Sequence, residues 1–309
     1  MKLATLLLAL AVSGAACGQG FPTKPVRIVV PFPPGGGADA LARLVAPKLT
    51  ELWKQQAIVE NKPGASGHIG ADFVAHSPAD GHTLLMSSTA SLTEKNVDQF
   101  APVTLVSASP YVVTTNPKVQ AANIRELIAV AKANPGKLSY GSSGTGAASH
   151  LSAELFKSMA RVELLHVPYK GTGQALTDLL AGQVDLMFAP AQTVLSHVRA
   201  GKLKALATTG EKRASTLPEL PTVAESGLPG YAAVGWFGLL APAATPKPVV
   251  AQLNRDANRV LGEREVRERM EALGAEPAAG NTPEGFARFI RDDQTKWQKL
   301  AREAGIKPE

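Results

Sequence analysis

The chain has 309 residues, 45% of them hydrophobic, and carries 32 Lys and Arg against 26 Asp and Glu, a formal net charge of +6. Those cations are scattered, and four Tyr and three Trp form no stacking platform, so the composition argues against nucleic acid and suits small anionic ligands. The single cysteine excludes a disulfide or a thiolate metal site from the folded part.

The chain opens with Met1-Lys2, an apolar run over 3–12 and the small residues Ser13-Gly14-Ala15-Ala16. That order reads as a secretory signal peptide occupying residues 1–20. The apolar run is short of the ~20 residues that span a bilayer. Gly14 and Ala16 suit ordinary cleavage, with lipidation at Cys17 as the alternative; Gly14 stands where a lipobox carries a large aliphatic residue. The expected location is the periplasm.

About 290 residues follow, enough for two domains. The β-branched run over 26–31 predicts a buried strand, and 39–54 a helix with Leu41, Leu44, Val45, Leu49 and Leu52 on one face. Pro47 is expected to kink that helix. A strand over 57–60, a helix over 69–75 and a strand over 83–86 complete a first block. A long strand over 103–114 leads into a second block, where Asn123 caps a helix that Asn134-Pro135-Gly136 ends. Strands follow at 138–141, 162–167, 184–188 and 203–208, separated by helices through Leu151 to Met159, over 172–181 and over 194–200. A Pro- and Gly-rich connector (219–230) precedes a strand over 231–240. Helices over 246–261, 263–273 and 283–304 close the chain. The alternation implies an α/β protein of parallel-dominated mixed sheets flanked by helices. The strands at 103–114 and 231–240 are the expected crossings between a first domain (21–107 with 231–309) and a second (108–230). Ligands are expected in the cleft between them.

Three glycine-rich turns each open a helix: Pro31 to Gly37, Pro63 to Gly67, and Gly141 to Gly146. Glycine lets backbone N–H groups approach a ligand, and a helix N-terminus favours negative charge. One such turn is ordinary βα punctuation, but turns in both blocks point to a carboxylate held from two walls. Enzyme motifs do not complete. Gly141 and Gly146 have P-loop spacing, yet Ala147-Ala148 replace Lys and Ser/Thr. Ser149 stands where a dinucleotide fingerprint needs its third glycine. The six histidines contain no HExxH, so no metal or cofactor is expected. A hydrolase would need a nucleophile such as Ser143 beside His150. Asp39 and Asp178 have ordinary capping or solvated readings, Asp185 is expected to pin a loop, and Trp236-Phe237 is read as packing, with Trp236 placed to wall the cleft.

Several stretches in order carry a family resemblance: residues 24–37 (KPVRIVVPFPPGGG), 60–65 (ENKPGA), 77–81 (SPADG), 133–138 (ANPGKL), 166–171 (HVPYKG) and 220–227 (LPTVAESG). The chain resembles the Bug-type solute-binding receptors of tripartite tricarboxylate transporters. The resemblance implies a type II, two-domain periplasmic-binding-protein fold closing like a Venus flytrap on a di- or tricarboxylate or an aromatic acid. It implies no enzymatic activity, membrane permease subunits as partners, and a monomer. A periplasmic sensor reporting to a signalling receptor is the alternative. Carried over, the ligand loops are Phe32, Pro33, Gly35 and Gly36 on one wall and Ser142, Ser143, Thr145, Gly146 and Ala147 on the other. Ser87, Ser88 and Thr89 line the first wall, and Ala189 belongs to the second. Two departures stand out. The rim over 91–99 is shorter than the family's, and Ala189-Pro190-Ala191-Gln192 replaces a Phe-Asp-Asn run whose Asp would meet an amino group. That substitution argues against an amino-acid ligand and leaves Gln192 as a polar contact.

Overall fold

The computed structural model describes residues 20–303. The signal peptide (Gly20 apart) and Cys17 lie outside the described residues. Among the described residues, no helix is long and apolar enough to cross a membrane.

The first block forms β1 (Val26–Val30), α1 (Gly37–Trp53), β2 (Ala57–Asn61), α2 (His68–Ala75) and β3 (Thr83–Ser87). β1 pairs in parallel with both β2 and β3. α1 runs through Pro47, which sits exposed, while Leu41, Leu44, Val45 and Leu49 bury the opposite stripe. Burial of such side chains is worth roughly 1.5–3 kcal/mol each, and that outweighs one missing helix hydrogen bond.

β4 (Phe100–Thr115) is the long crossing strand. The second block follows as α3 (Ile124–Ala133), β5 (Ser139–Ser142), α4 (Ala148–Ala160), β6 (Leu165–Pro168), α5 (Thr172–Ala181), β7 (Leu186–Pro190), α6 (Ala191–Arg199) and β8 (Lys204–Thr208). Asn123 caps α3 as expected, its Oδ1 accepting the Glu126 N–H at 3.0 Å. β5 pairs in parallel with β6 and β7. The return strand β9 (Val234–Pro242) and helices α7 (Lys247–Gly262), α8 (Arg264–Ala272) and α9 (Pro283–Glu303) complete the chain.

The strands form one path, β2-β1-β3-β9-β4-β7-β5-β6, with β8 also on β4. Each outer trio is parallel, whereas the two crossing strands run antiparallel to their neighbours. β4 pairs with β9 from Phe100 to Pro110, then with β7 and β8 from Tyr111 onward. Proline has no N–H to give a ladder, so Pro110 stands where the ladder changes partner. Thr209 clasps both crossings: the Tyr111 N–H donates to its Oγ1 at 2.7 Å and the Ala233 N–H to its carbonyl at 2.7 Å.

Helices cover both faces of each half of the sheet. α1, α7 and α8 enclose one apolar cluster with β1 and β3; α2 and the start of α9 enclose another. In the second half, α3 and α4 cover one face and α5 and α6 the other. α9 belongs to both halves. Phe286 and Ile290 pack in a first-half cluster, while Trp297 and Ala301 pack in a second-half cluster. Between them, Asp293 accepts hydrogen bonds from Trp236 Nε1 (2.7 Å), Trp297 Nε1 (2.9 Å) and Thr89 Oγ1 (3.1 Å). Burial pushes its carboxyl above the usual range, and the three donors offset only part of that.

Candidate functional site

The glycine turns after β1 and β5 face one another across the junction of the two halves. Between them lies a cavity of about 30 Å³, room for one or two waters. Its walls touch. A Cβ built on Gly36 would lie 2.9 Å from Thr172 Oγ1, one on Gly171 2.8 Å from Pro33 Cδ, and one on Gly173 2.8 Å from the Pro34 carbonyl. Gly144 leaves no room for a Cβ beside Ser66. Glycine here permits backbone-to-backbone closure. Ala147, from the second half, is buried in a first-half cluster.

Four helices begin at this junction: α1 behind Gly36, α4 behind Ala147, α5 behind Gly171 and α6 behind Pro190. At none does a side chain of the N-cap residue accept a helix N–H. The first N–H groups of a helix lack intrahelical partners and carry the positive end of its dipole. The cavity lining holds no charged side chain. Its polar lining residues are Ser88, Tyr111, Ser143 and Thr172, beside Gly36 to Ala38. Phe32 and Phe237 supply much of its apolar wall. Such a site offers fixed N–H donors to an anion without a paired cation.

The first loop is set by Asp39 in the opening turn of α1. Its carboxylate accepts from the Gly35 N–H (3.1 Å), Arg43 Nε (3.0 Å) and Asn61 Nδ2 (2.9 Å). Burial drives this carboxyl upward, but the hydrogen bonds from Arg43, Asn61 and Gly35 win, and it lies below its ordinary value. Asn61 Nδ2 also donates to the Phe32 carbonyl at 3.0 Å. Gly35 has φ +86°, a conformation that favours glycine.

The second loop is set by neutral groups. Ser142 is fully buried with its Oγ 2.7 Å from His166 Nε2. Ser143 Oγ lies 3.0 Å from Ser149 Oγ, which also accepts the Ser143 N–H. The Gly146 N–H donates to His150 Nδ1 at 3.1 Å, and Gly146 has φ +76°. Ser143 therefore meets Ser149 where a hydrolase would need His150.

Of the residues expected from the sequence, Phe32, Gly36, Ser88 and Ser143 line the cavity. Pro33 lies at the contact with Gly171, Gly35 and Gly146 shape the turns, and Ala147 precedes α4. Thr145 is half-buried beside them. Ser87 bonds Ser91 at 3.0 Å, and Thr89 is committed to Asp293. Ala189 packs in a cluster with α5 and α6, and it is the next residue, Pro190, that reaches the cavity. Trp236 points away into the contact with Asp293 and Phe286, leaving Phe237 as the wall, as strand alternation requires. Asp185 pins β5 by accepting from the Ser139 N–H (2.8 Å) and Oγ (3.0 Å).

Sequence reasoning passed over Tyr111 and Thr172 as site residues and read Phe237 as packing. Thr172 had a signal, since it follows Gly171 and opens a helix. Tyr111 had none, because only the change of strand partner at Pro110 turns it inward.

A wider groove of about 710 Å³ opens on the outer face beside Lys24, Arg27, Asp72 and Asp80. Its charges are of both signs, and Lys24 pairs with Asp80 at 2.9 Å, so it offers an anion little. Among the described residues, no group of three or more His, Cys, Asp or Glu is placed to hold a metal.

Comparison with known proteins adds relatives along nearly the whole chain. The model of the tripartite tricarboxylate transporter family receptor matches residues 41–306. Protein BugT of Bordetella pertussis is 37% identical over 319 residues, covering 99% of this chain and 98% of that protein. The solved structure of R. palustris Rpa4515 with adipate is 36% identical with a TM-score of 0.89, covering 94% of this chain and all of that one. MatC from Rhodopseudomonas palustris with bound malate is 31% identical with a TM-score of 0.84, covering 91% of this chain and 99% of that one.

Proposed function

Because the chain belongs to the receptor family of tripartite tricarboxylate transporters, we propose that it is an exported solute-binding protein that captures a small dicarboxylate for membrane permease subunits. The observation that carries this reading is the convergence of four helix N-termini on a cavity with no charged side chain. A carboxylate placed there neutralises helix dipoles worth about 0.3–1 kcal/mol each when exposed and up to ~2 when partly buried. It meets N–H donors already aimed, so little ordering is required on binding. The relatives solved with adipate and with malate support a four- to six-carbon diacid.

A diacid needs several times the volume between the closed walls, so capture requires the halves to part and close again. The hinge is the pair of crossing strands at Pro110-Tyr111 and Ala233-Val234, with α9 as a strap across both cores. Closure around ligand gives the permease a shape to read. The protein acts by binding alone, as a monomer and without a cofactor, and the apolar run over residues 3–12 directs its export.

The test is thermal unfolding of the mature protein, refolded to strip bound ligand, with adipate, malate, succinate, citrate and benzoate, and with amino acids and sugars as controls. Ligand at a hundred times its dissociation constant adds about 2.7 kcal/mol, roughly 5 °C or more in a chain this size. A shift confined to diacids is the expected result. A shift with sugars or amino acids and none with adipate, malate, succinate, citrate or benzoate would overturn the reading.

A further inference from the structure

Beneath the second loop three rings lie near-parallel in a cluster. His150 from α4 stacks on His166 from β6 with centroids 4.0 Å apart and planes 14° from parallel. Tyr140 from β5 stacks on the same His166 at 4.9 Å and 16°. Both imidazoles hold the loop, His150 as an acceptor and His166 through the Ser142 hydroxyl. Gly146 donates its N–H to His150 Nδ1 at 3.1 Å. Gly144 donates its N–H to Ser142 Oγ at 3.2 Å, and the same Oγ lies 2.7 Å from His166 Nε2. The Gly146 bond requires Nδ1 of His150 to be without a proton, whereas the Ser142 hydroxyl can either donate to His166 Nε2 or accept from it.

A proton on His150 Nδ1 removes the acceptor of the Gly146 N–H. With a proton on His166 Nε2 that nitrogen donates to Ser142 Oγ, and the Ser142 hydrogen is directed to the Gly144 carbonyl at 3.3 Å. The first event bears on Gly146 and the second on Gly144, the two residues on either side of Thr145. Gly144 is also the residue that meets Ser66 across the cleft.

The titratable groups facing the pair are Glu154 and Lys157 from α4 and Tyr140 from β5. Glu154 is engaged by the Tyr140 hydroxyl (2.5 Å) and by Lys157 Nζ (2.7 Å). Burial, then the neighbouring His150, push the His166 imidazole down to about 4, opposed by Glu154 and helped by Lys157. The neutral ring is thus the resting form at neutral pH.

We propose that His150 and His166 are positioning residues for the loop from Ser142 to Ala147, holding it only as a neutral stacked pair, so that acidification loosens the second wall and weakens carboxylate capture. The affinity part rests on the ligand reading above; the loop part does not.

Two substitutions separate the acceptor from the ring. His150→Asn offers a side-chain carbonyl in place of Nδ1 and does not titrate, whereas His150→Phe keeps a ring and offers no acceptor. Dissociation constants for adipate and malate are measured by calorimetry at about pH 7.5 and about pH 5. Wild type is expected to lose about tenfold more affinity across that interval than His150→Asn, which starts near wild type. His150→Phe starts about tenfold weaker and adds no further slope. Parallel losses in wild type and His150→Asn overturn the proposal. Nitrogen-15 shifts of the ligand-free protein supply a second readout, with His150 Nδ1 unprotonated at neutral pH and the Gly146 amide moving as the histidines titrate. A protonated Nδ1, or a Gly146 amide that stays put, overturns it equally. If neither diacid binds at any pH, the ligand reading falls and these spectra alone decide the histidine proposal.

Discussion

The two walls of the cleft carry the same device, a glycine turn that opens a helix, and anchor it by opposite chemistry. On the first wall the Gly35 N–H is held by the ionised Asp39, itself held by Arg43 and Asn61. On the second, the Gly144 and Gly146 N–H groups end on a serine hydroxyl and an imidazole, none of them charged at neutral pH in the arrangement described. An anchor through an ion is strong and keeps its form until the carboxylate takes a proton, below its ordinary value of 3.8. An anchor through neutral imidazole is weaker and exposed to mild acid. The ligand-facing surface is alike on both sides, so the difference lies one layer back, in what sets each loop.

The largest effect is expected from breaking the ionic anchor. Asp39→Ala leaves the Gly35 N–H and Arg43 without their acceptor and should cost about 2–4 kcal/mol of stability, read by urea unfolding. Asp39→Asn keeps an acceptor without the charge and should cost about half as much. Because the folded Asp39 carboxyl titrates below 3.8, its contribution is present above that pH and lost as pH falls through the lower folded value. An Asp39→Ala variant as stable as wild type would leave the first wall without the anchor assigned to it.

Next in size is a test of closure itself. Gly36→Val places a Cβ 2.9 Å from Thr172 Oγ1 and should lower diacid affinity about a hundredfold, ~2.7 kcal/mol, by holding the walls apart. Stability should change little, because Gly36 has an ordinary φ of −85°. Gly146→Ala is the contrasting substitution. Nothing lies within 4 Å of its Cβ, but φ is +76°, so the cost of ~1 kcal/mol falls on the turn. Calorimetry on the two variants separates a blocked cleft from a strained loop; equal affinity losses would erase that distinction.

The fold was legible because its signals are local and repeated. The β-branched runs and the Asn123 cap each report a strand or helix without reference to distant residues. The glycine turns were legible for the same reason. What escaped depends on partners far along the chain. Thr89 reads as a loop hydroxyl, and only α9 folding back over 204 residues brings Asp293 to it. Ala189 and Pro190 are equivalent in sequence terms, yet the strand pleat sends one into the core and the other to the cavity. The histidines show in the sequence only that they form no metal motif, because the stacking of His150 on His166 joins residues 16 apart on different elements.

The pH dependence of stability bears most directly on the difference between the walls. The folded His166 ring titrates at about 4 against an ordinary 6.5, so the neutral form stabilises the fold. That contribution is fully present above pH 6.5 and is lost as pH falls from there towards 4. Discounted for a ring that is only partly buried, the loss should be about 1–2 kcal/mol. His166→Gln keeps a hydrogen-bonding partner for Ser142 without the titration, so wild type should lose that much more than the variant when urea unfolding is repeated across the interval. Asp39→Asn should follow wild type over the same range, because Asp39 does not change charge there. Curves for wild type and His166→Gln that run parallel would mean that both walls resist mild acid alike, and that the neutral anchor is as durable as the ionic one.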